Sequence, residues 1–254
     1  MEPMLPPARR RRDNRGRPWA SNRACFEAIL WILQTGAAWR FLPVEFPSPS
    51  TCWRRLKPWE DEGVWLNAWR TLLGALDKEG LLKWDETFLD GSFAPAKKGA
   101  PAVGKTKRGK GTKWMVLVDG QSLPLGVRLE SASPHEVTLA EATLQEVSVP
   151  QPKGRPRQKP ERVIADTACD SDPLRQRLQK RGIELIVPYR ENNQQRRYED
   201  GRKLRRYKRR WIVERTNSWL GQFPRLLVRH EHLLSTYRAF FYLACFWITL
   251  RHCL

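Results

Sequence analysis

A basic, aromatic stretch at residues 205–220 contains a single glutamate, Glu214. If the stretch is a helix, Glu214 shares one face with Tyr207, Arg210 and Asn217, because residues three and four positions apart lie on the same side. A glutamate in this setting is either a solvated residue paired with Arg210 or one ligand of a catalytic metal site. One carboxylate cannot bind a pair of metal ions, so the second interpretation requires acids from other parts of the chain.

Two aspartates each follow a predicted β-strand. Asp90 ends a predicted strand over residues 81–90, and Asp166 ends a short apolar strand over residues 162–165. Because a glycine follows Asp90, a plain Asp-Gly turn explains that residue equally well. Two acids at neighbouring strand ends, with Glu214 on a covering helix, suit two divalent metal ions about 4 Å apart that cleave a phosphodiester bond. Oxygen ligands favour Mg²⁺ or Mn²⁺ for both ions.

The segment from Ser133 to Glu136 has the signature of a helix start. Ser133 is the predicted N-cap, Pro134 lies in the first turn, and Glu136 completes a capping box three residues after the serine. This interpretation gives Glu136 a structural role. His135 either helps to position a phosphate or leaving group, as an auxiliary to the acids, or is a solvated residue at a helix start.

The charge of the chain predicts a polyanionic partner. The 254 residues include 46 Lys and Arg against 27 Asp and Glu, a formal net charge of +19, while 41% hydrophobic residues and 12 tryptophans argue for a folded protein. Nucleic acid is the first candidate and an anionic membrane surface the second. Because the longest apolar run, residues 239–250, is too short to span a bilayer and no signal peptide opens the chain, we expect a cytosolic protein. The five cysteines lack CxxC spacing, so we expect free, mostly buried thiols.

The N-terminal third reads as a basic arm followed by helices. Residues 1–18 form an arm that either follows DNA phosphates or a minor groove, or is a disordered solubilising tail. Residues 19–78 contain predicted helices over 21–35, 52–59 and 64–76, with Ser50 or Thr51 capping the second. This arrangement suits a small all-α, helix-turn-helix-like DNA-binding domain, although other helical bundles share the pattern. The candidate DNA contacts of its second helix are Arg54, Arg55 and Lys57.

Residues 79–254 alternate between predicted strands and helices. The segment at residues 97–113 has seven Lys or Arg, four glycines and no acid, so it either approaches a phosphate backbone or is a mobile loop. A hairpin over residues 114–130, a helix, the strand ending at Asp166, a helix, a strand over 183–188 and a closing helix complete an α/β fold with a mixed sheet. The candidate DNA contacts in the basic segment are Lys105, Lys107, Arg108, Lys110 and Lys113.

These motifs together resemble bacterial insertion-sequence transposases of the insertion sequence four and five groups. That family carries a DDE acid triad on a ribonuclease-H-like fold. The matching segments are DGS at Asp90, ADTACDSD at Asp166 and RRWIVERTNSWL around Glu214, where Tyr207, Arg210 and Glu214 reproduce a Tyr, two residues, Arg, three residues, Glu signature. The resemblance extends through the helical N-terminal region.

The resemblance implies a DNA transposase that cleaves at the ends of its element and transfers the strand into target DNA. It assigns Asp90 as the ligand of both metal ions and Asp166 and Glu214 as ligands of one each, with Tyr207 and Arg210 contacting DNA. The family normally has a lysine seven residues after the glutamate. This chain has Gly221 there, which leaves the role empty or passes it to Arg225.

The expected partners are double-stranded DNA at the element ends and at the target, and a second copy of the chain in a homodimer on DNA, without a membrane. The expected location is the bacterial cytoplasm, in association with the nucleoid. Three other functions remain open: a nuclease of the same fold without strand transfer, a domesticated DNA-binding factor without catalysis, and a basic RNA-binding protein without a metal site.

Overall fold

The computed structural model of the chain describes residues 4–7, 19–97, 99–193, 196–198 and 200–252. Most of the predicted basic arm, residues 1–18, therefore lies outside the described residues. The short described piece of it contacts the folded body, because Leu5 is buried and the Pro6 carbonyl accepts a 2.7 Å hydrogen bond from the Asn22 amide.

Helices open the described part of the chain: α1 (Asn22–Thr35), α2 (Pro49–Asp61) and α3 (Val64–Lys78). Helix α1 begins at the predicted Ser21 cap and ends at Gly36, whose φ of 70° is the left-handed conformation that glycine adopts at helix ends. Helix α2 begins earlier than predicted, because the Ser48 hydroxyl, and not that of Ser50 or Thr51, accepts from a first-turn N–H. It also continues past Pro58 to Asp61. The three predicted helices are confirmed.

The strands that the structure describes form one mixed sheet: β1 (Thr87–Pro95), β2 (Gly104–Thr106), β3 (Gly109–Val118), β4 (Pro124–Ser131), β5 (Arg162–Ala165) and β6 (Glu184–Ile186). Strand β3 runs antiparallel to both β1 and β4, and β2 pairs with its first residues. Strand β5 lies parallel to β1 on one side and to β6 on the other. The sheet order is therefore β4-β3-β1-β5-β6, with the antiparallel strands first in the chain.

Helices flank this sheet and close the fold: α4 (Glu136–Gln145), α5 (Asp172–Lys180), α6 (Gly201–Leu204), α7 (Trp211–Gly221), α8 (Pro224–Leu227) and α9 (Leu234–Arg251). The predicted mixed α/β class and the predicted closing helix are both confirmed. No helix in the described ranges is long and apolar enough to cross a membrane. The four cysteines in those ranges are free and buried, as predicted.

Strand β1 differs from its prediction in both limits. It begins at Thr87 and passes through Asp90 to Pro95, because its second half pairs with the start of β3. The Asp-Gly turn is therefore wrong. Asp90 nevertheless lies where the neighbouring parallel strand ends, since Leu89 is the partner of Ala165, the last residue of β5.

The basic glycine-rich segment is a β-hairpin in its second half, so the mobile-loop interpretation is wrong there. Strands β2 and β3 turn at Lys107 and Arg108, and Gly109 has a φ of 106° that favours glycine. Lys105 lies directly opposite Lys110 in this ladder. Like charges facing each other across strands destabilise a hairpin, so the tip carries positive charge at a cost to folding.

The helical N-terminal region and the C-terminal helix share one hydrophobic core. Trp69 of α3 contacts Tyr242 of α9 with ring centroids 6.1 Å apart, and Trp39 contacts Phe240 at 6.3 Å. Gly36 packs so closely that a Cβ there would lie 2.7 Å from Pro224 Cβ. The functional division of the chain at residue 78 stays a prediction, and the two regions are joined by continuous packing.

We expect Glu60 to make stability depend on pH at this junction. Its carboxyl group is buried, and burial raises its pKa to about 7 although Arg238 donates to Oε1 at 2.7 Å. Because the pKa of Glu60 is higher in the folded protein than in the unfolded chain, protonation of Glu60 favours the folded state. This contribution to the free energy of unfolding is complete below pH 4.5 and is lost as the pH rises through about 7. Glu60→Gln keeps the neutral form at every pH.

The measurement is urea denaturation of both proteins at pH 5 and pH 8. The free energy of unfolding of Glu60→Gln, relative to the unmodified protein, should rise between these pH values by about 1–3 kcal/mol. Glu27→Gln, on the exposed face of α1, is the matched control. A difference between the two glutamine variants that does not change with pH would contradict the prediction.

Candidate active site

Asp90, on β1, and Asp166, directly after the parallel strand β5, lie side by side. Leu89 pairs with Ala165, so the two aspartates follow in the same register, on strands about 4.8 Å apart, with their side chains on the same face. The Asp90 side chain is 16% exposed and that of Asp166 is 36% exposed. Both carboxylates are thus partly accessible to solvent.

Arg210 joins the two carboxylates. Its Nη2 lies 3.1 Å from Asp90 Oδ1 and its Nη1 lies 3.6 Å from Asp166 Oδ2. The same Nη1 donates to the Tyr207 hydroxyl at 3.1 Å, whereas the buried Nε has no partner among the described residues. The guanidinium therefore balances two acids that would otherwise repel each other, and it retains an unused donor.

The second oxygen of Asp90 is held by an amide. Asn217 Nδ2 donates to Asp90 Oδ2 at 2.8 Å, and Asn217 Oδ1 lies 3.5 Å from the Trp114 indole nitrogen. Burial raises the pKa of Asp90 to about 6, against the lowering effect of Arg210, and the charges of Glu136 and Asp166 add to the rise. Asp90 is thus fixed in orientation, and it is easier to protonate than an ordinary aspartate.

Glu136 belongs to this neighbourhood, which the capping-box prediction missed. Helix α4 begins at Glu136 with His135 as its N-cap and without a side-chain cap, so Ser133 is not the cap. The Glu136 carboxylate lies over Gly91, where a Cβ would be 2.7 Å from Glu136 Cδ, and Oε1 is 3.8 Å from Lys113 Nζ. The sequence signal was the glycine after Asp90, which leaves room for a carboxylate from another element.

His135 is exposed at the N-cap of α4. Its carbonyl accepts hydrogen bonds from the Thr138 N–H at 3.0 Å and hydroxyl at 2.6 Å, and its imidazole makes no hydrogen bond to the described residues. These contacts match the solvated interpretation of this histidine.

Glu214 is exposed in the first turn of α7. The predicted continuous helix is wrong before Trp211, because Arg205–Arg210 is a 3₁₀ helix. Residues three apart eclipse one another in that geometry, which accounts for the contact between Tyr207 and Arg210. Arg210 and Asn217, four residues before and three after Glu214, both contact Asp90, whereas Glu214 itself makes no contact with the two aspartates among the described residues.

The pairing of Glu214 with Arg210 is wrong as a structural explanation, because Arg210 contacts the two aspartates. Glu214 itself makes no hydrogen bond or ion pair with a residue that the structure describes.

Helix α7 is anchored by the turn between β3 and β4. Ser122, at a φ of 77°, donates from its hydroxyl to the Ile212 carbonyl at 2.7 Å, and its own carbonyl accepts from the Thr216 hydroxyl at 2.6 Å. Asp119 holds the turn by accepting from the backbone N–H groups of Gln121 and Leu123. No local pattern in the sequence indicates these contacts, since they join residues about ninety positions apart.

Several predicted DNA contacts are exposed. In α2, Arg54 is exposed and Lys57 is half-buried beside Asp61. Lys113 is largely buried and donates to the Pro134 carbonyl at 2.9 Å, so it is less accessible. The other predicted DNA contacts that are exposed lie on the β2–β3 hairpin: Lys105, Lys107, Arg108 and Lys110.

Two arginines with suggested DNA roles are buried. Arg55 is 8% exposed, lies over the Trp19 ring and donates to the Ala20 carbonyl, so its assignment to DNA is wrong. Arg225 is 4% exposed and pairs with Glu231, so it does not replace the missing lysine. In both cases a tertiary partner, which sequence spacing does not show, removes the guanidinium from the surface.

The donor chemistry of the site suits hard divalent cations. Asp90, Asp166 and Glu214 offer carboxylate oxygens, which Mg²⁺ and Mn²⁺ prefer. Across the described ranges no three His, Cys, Asp or Glu side chains already converge on one point. Arg210 currently contacts both aspartates, so a cation between them would compete with its guanidinium.

Comparison with known proteins supports a family assignment. A model of the transposase DDE domain matches residues 84–248, and a family described as "Putative transposase of IS4/5 family" matches residues 1–69. An uncharacterized 16.2 kDa protein of insertion element IS402 from Burkholderia cepacia is 39% identical over 109 residues, covering 42% of this chain and 74% of that protein. The "Putative transposase for insertion sequence element IS402" of the same organism is 35% identical over 145 residues, 56% of this chain and 65% of that protein.

The fold has a solved counterpart as well. The piggyBac transposase in a synaptic complex with hairpin DNA aligns with a TM-score of 0.56 at 10% identity, covering 94% of this chain and 67% of that chain. The predicted ribonuclease-H-like fold is thereby confirmed. The IS4/5 family model matches the first 69 residues, and the transposase DDE-domain model spans more than half of the chain, so the protein belongs to the transposases with a DDE domain.

Proposed function

We propose that this transposase binds the ends of its own insertion sequence, cleaves the DNA there in a metal-dependent reaction and transfers the freed end into target DNA. Water attacks the phosphodiester at the element end and releases a 3′-OH, which then attacks a target phosphodiester. Both steps are phosphoryl transfers that form no covalent enzyme intermediate. The observation that carries the proposal is the pair of Asp90 on β1 and Asp166 directly after the neighbouring parallel strand β5, with α7, which carries Glu214, packed against β1.

In this proposal Asp90, Asp166 and Glu214 would hold the divalent cations, Mg²⁺ or Mn²⁺. The bound cations would supply charge stabilisation to the attacking and leaving oxygens of the phosphodiester. Asn217 orients Asp90 through its 2.8 Å hydrogen bond. Arg210, with Tyr207 hydrogen-bonded to it, would contact a DNA phosphate beside the aspartates.

The basic surface supports DNA as the partner. The β2–β3 hairpin places Lys105 opposite Lys110, with Lys107 and Arg108 at the tip, and DNA phosphates would relieve their mutual repulsion. Residues 19–78, with Arg54 and Lys57 on α2, are proposed to recognise the element ends, and the basic arm before them to follow the backbone. Because an element has two ends, two copies of the chain would act as a homodimer.

The test is incubation of the protein with DNA that flanks its own gene, in Mg²⁺ and in EDTA. Nicks at the element ends that require Mg²⁺ would support cleavage, and joined products with a target plasmid would support strand transfer. Cleavage without joined products would favour a nuclease of the same fold. End-specific binding without cleavage would favour a domesticated DNA-binding protein.

Gly221→Lys is expected to tighten DNA binding. Gly221 lies seven residues after Glu214 on the same face of α7, and a Cβ there meets only Leu227 Cδ2 at 3.9 Å, so a long side chain fits. One added phosphate contact should steepen the dependence of log Kd on log salt by about 0.9. The measurement is fluorescence anisotropy of end DNA between low and moderate salt.

Gly221→Ala is the matched control for this prediction. It gives the same improvement in helix preference without a charge, so it separates helix stability from phosphate binding. Equal salt slopes for the lysine and alanine variants would show that this helix face does not contact DNA.

A further inference from the structure

Glu86 is a buried carboxylate just before β1, and the proposed chemistry does not use it. Its side chain is 4% exposed, and each of its oxygens is bound by a different arginine, Oε1 by Arg206 Nη1 and Oε2 by Arg209 Nη1. The two arginine side chains are 42% and 49% exposed. The buried Glu86 carboxylate is thus paired with two arginines whose side chains are partly exposed at the protein surface.

The partners of Glu86 lie in the short 3₁₀ helix that carries Tyr207 and Arg210. Arg206 and Arg209 are three residues apart, and so are Tyr207 and Arg210, so each pair occupies its own face of the 3₁₀ helix. One face is bound to Glu86 at the start of β1, and the other reaches Asp90 four residues further along the strand. The two ion pairs of Glu86 therefore fix the position of Arg210 relative to the two aspartates.

We propose that Glu86 is a positioning residue that holds Tyr207 and Arg210 over the aspartate pair and, by the same contacts, keeps Arg206 and Arg209 away from DNA phosphates. This inference rests on the proposed DNA cleavage. It has an unusual consequence: loss of the Glu86 charge should weaken cleavage and strengthen DNA binding. An ordinary loss of folding would weaken both.

Glu86→Gln is the test. A displacement of about 1 Å in a reacting group costs up to about 10²-fold in rate, so single-turnover cleavage of end DNA in Mg²⁺ should fall by about 10-fold to 100-fold. Release of two arginines should steepen the salt dependence of DNA binding in EDTA by about 1–2 in log Kd against log salt. Glu161→Gln is the matched control, because it removes an equal charge from an exposed glutamate beside Arg162.

A double-variant comparison separates positioning from general stability. If Glu86 acts through Arg210, Glu86→Gln should add little to the cleavage defect of Arg210→Gln, whereas independent effects would multiply. A conservative pair of changes, Arg206→Lys with Arg209→Lys, retains the charge and partners for Glu86 but loses the guanidinium geometry. It should reduce cleavage with an unchanged salt slope, and it keeps the inference testable if Glu86→Gln does not fold.

These experiments distinguish a failure of the positioning role of Glu86 from a failure of the proposed function. If the unmodified protein does not cleave end DNA, the proposed function fails. If it cleaves and Glu86→Gln behaves like Glu161→Gln, or loses binding and cleavage in equal proportion, the positioning role of Glu86 is overturned.

Discussion

Asp90→Asn should reduce cleavage of end DNA by about 10³-fold or more and leave binding nearly unchanged. Asparagine preserves the shape of the side chain but removes the charge that the two proposed metal ions would share. Metal-derived charge stabilisation is worth several kcal/mol, and about 4 kcal/mol corresponds to about 10³-fold in rate. The measurements are single-turnover cleavage in Mg²⁺ and anisotropy of DNA binding in EDTA, where the metal makes no contribution.

Asp166→Asn and Glu214→Gln should show the same separation of cleavage from binding, while Glu79→Gln, at an exposed acid after α3, should cleave normally. A readout independent of activity is the melting temperature. Mn²⁺ should stabilise the unmodified protein by mass action and should stabilise Asp90→Asn much less.

Glu136→Gln decides the identity of the third acid. Its carboxylate lies over Gly91 and affects the pKa of Asp90, whereas Glu214 is exposed without a described partner. Cleavage that survives Glu214→Gln but not Glu136→Gln would remove Glu214 from the triad and replace it with Glu136.

The parts of the site that could be predicted are those with a local signal. Asp166 follows a short run of β-branched and apolar residues, which predicts a buried strand and places the acid at its end. The spacing of Arg210 and Asn217 predicts a shared helix face, and both side chains contact Asp90 even though the helix begins only at Trp211. In both cases the neighbouring residues in the chain carry the information.

The parts that failed depend on contacts between distant segments. Nothing near Arg55 in the chain indicates that it packs over Trp19, and the six-residue spacing of Arg225 and Glu231 does not indicate that both are buried against the end of α1. The local pattern at Ser133 to Glu136 predicts a capping box, but the Glu136 carboxylate instead packs over Gly91, which has no side chain to exclude it. Glu86 and Ser122, which hold α7 and the 3₁₀ helix before it, pair with residues about 90 to 120 positions away.

Glu231→Ala should destabilise the protein by about 3–5 kcal/mol, because it leaves a buried guanidinium without its anion. Arg225 donates to Glu231 from Nε at 2.9 Å and also to the carbonyls of Ala37 at 3.0 Å and Gly36 at 3.4 Å. The pair therefore joins the C-terminal part of the chain to the end of α1. Since domains are stable by only about 5–15 kcal/mol, we expect a fall in the melting temperature of roughly 10 °C or more.

The measurements are urea denaturation and thermal melting, with Glu45→Ala as an exposed control. Replacing both partners by apolar residues, Arg225→Met with Glu231→Leu, should cost less than Glu231→Ala, because no buried charge is left unpaired. This double variant should also retain the salt dependence of DNA binding, since Arg225 is 4% exposed and stands away from solvent. A loss of about one unit in the salt slope would instead assign Arg225 to a phosphate, and a destabilisation by Glu231→Ala below about 1 kcal/mol would show that the pair does not hold the two regions together.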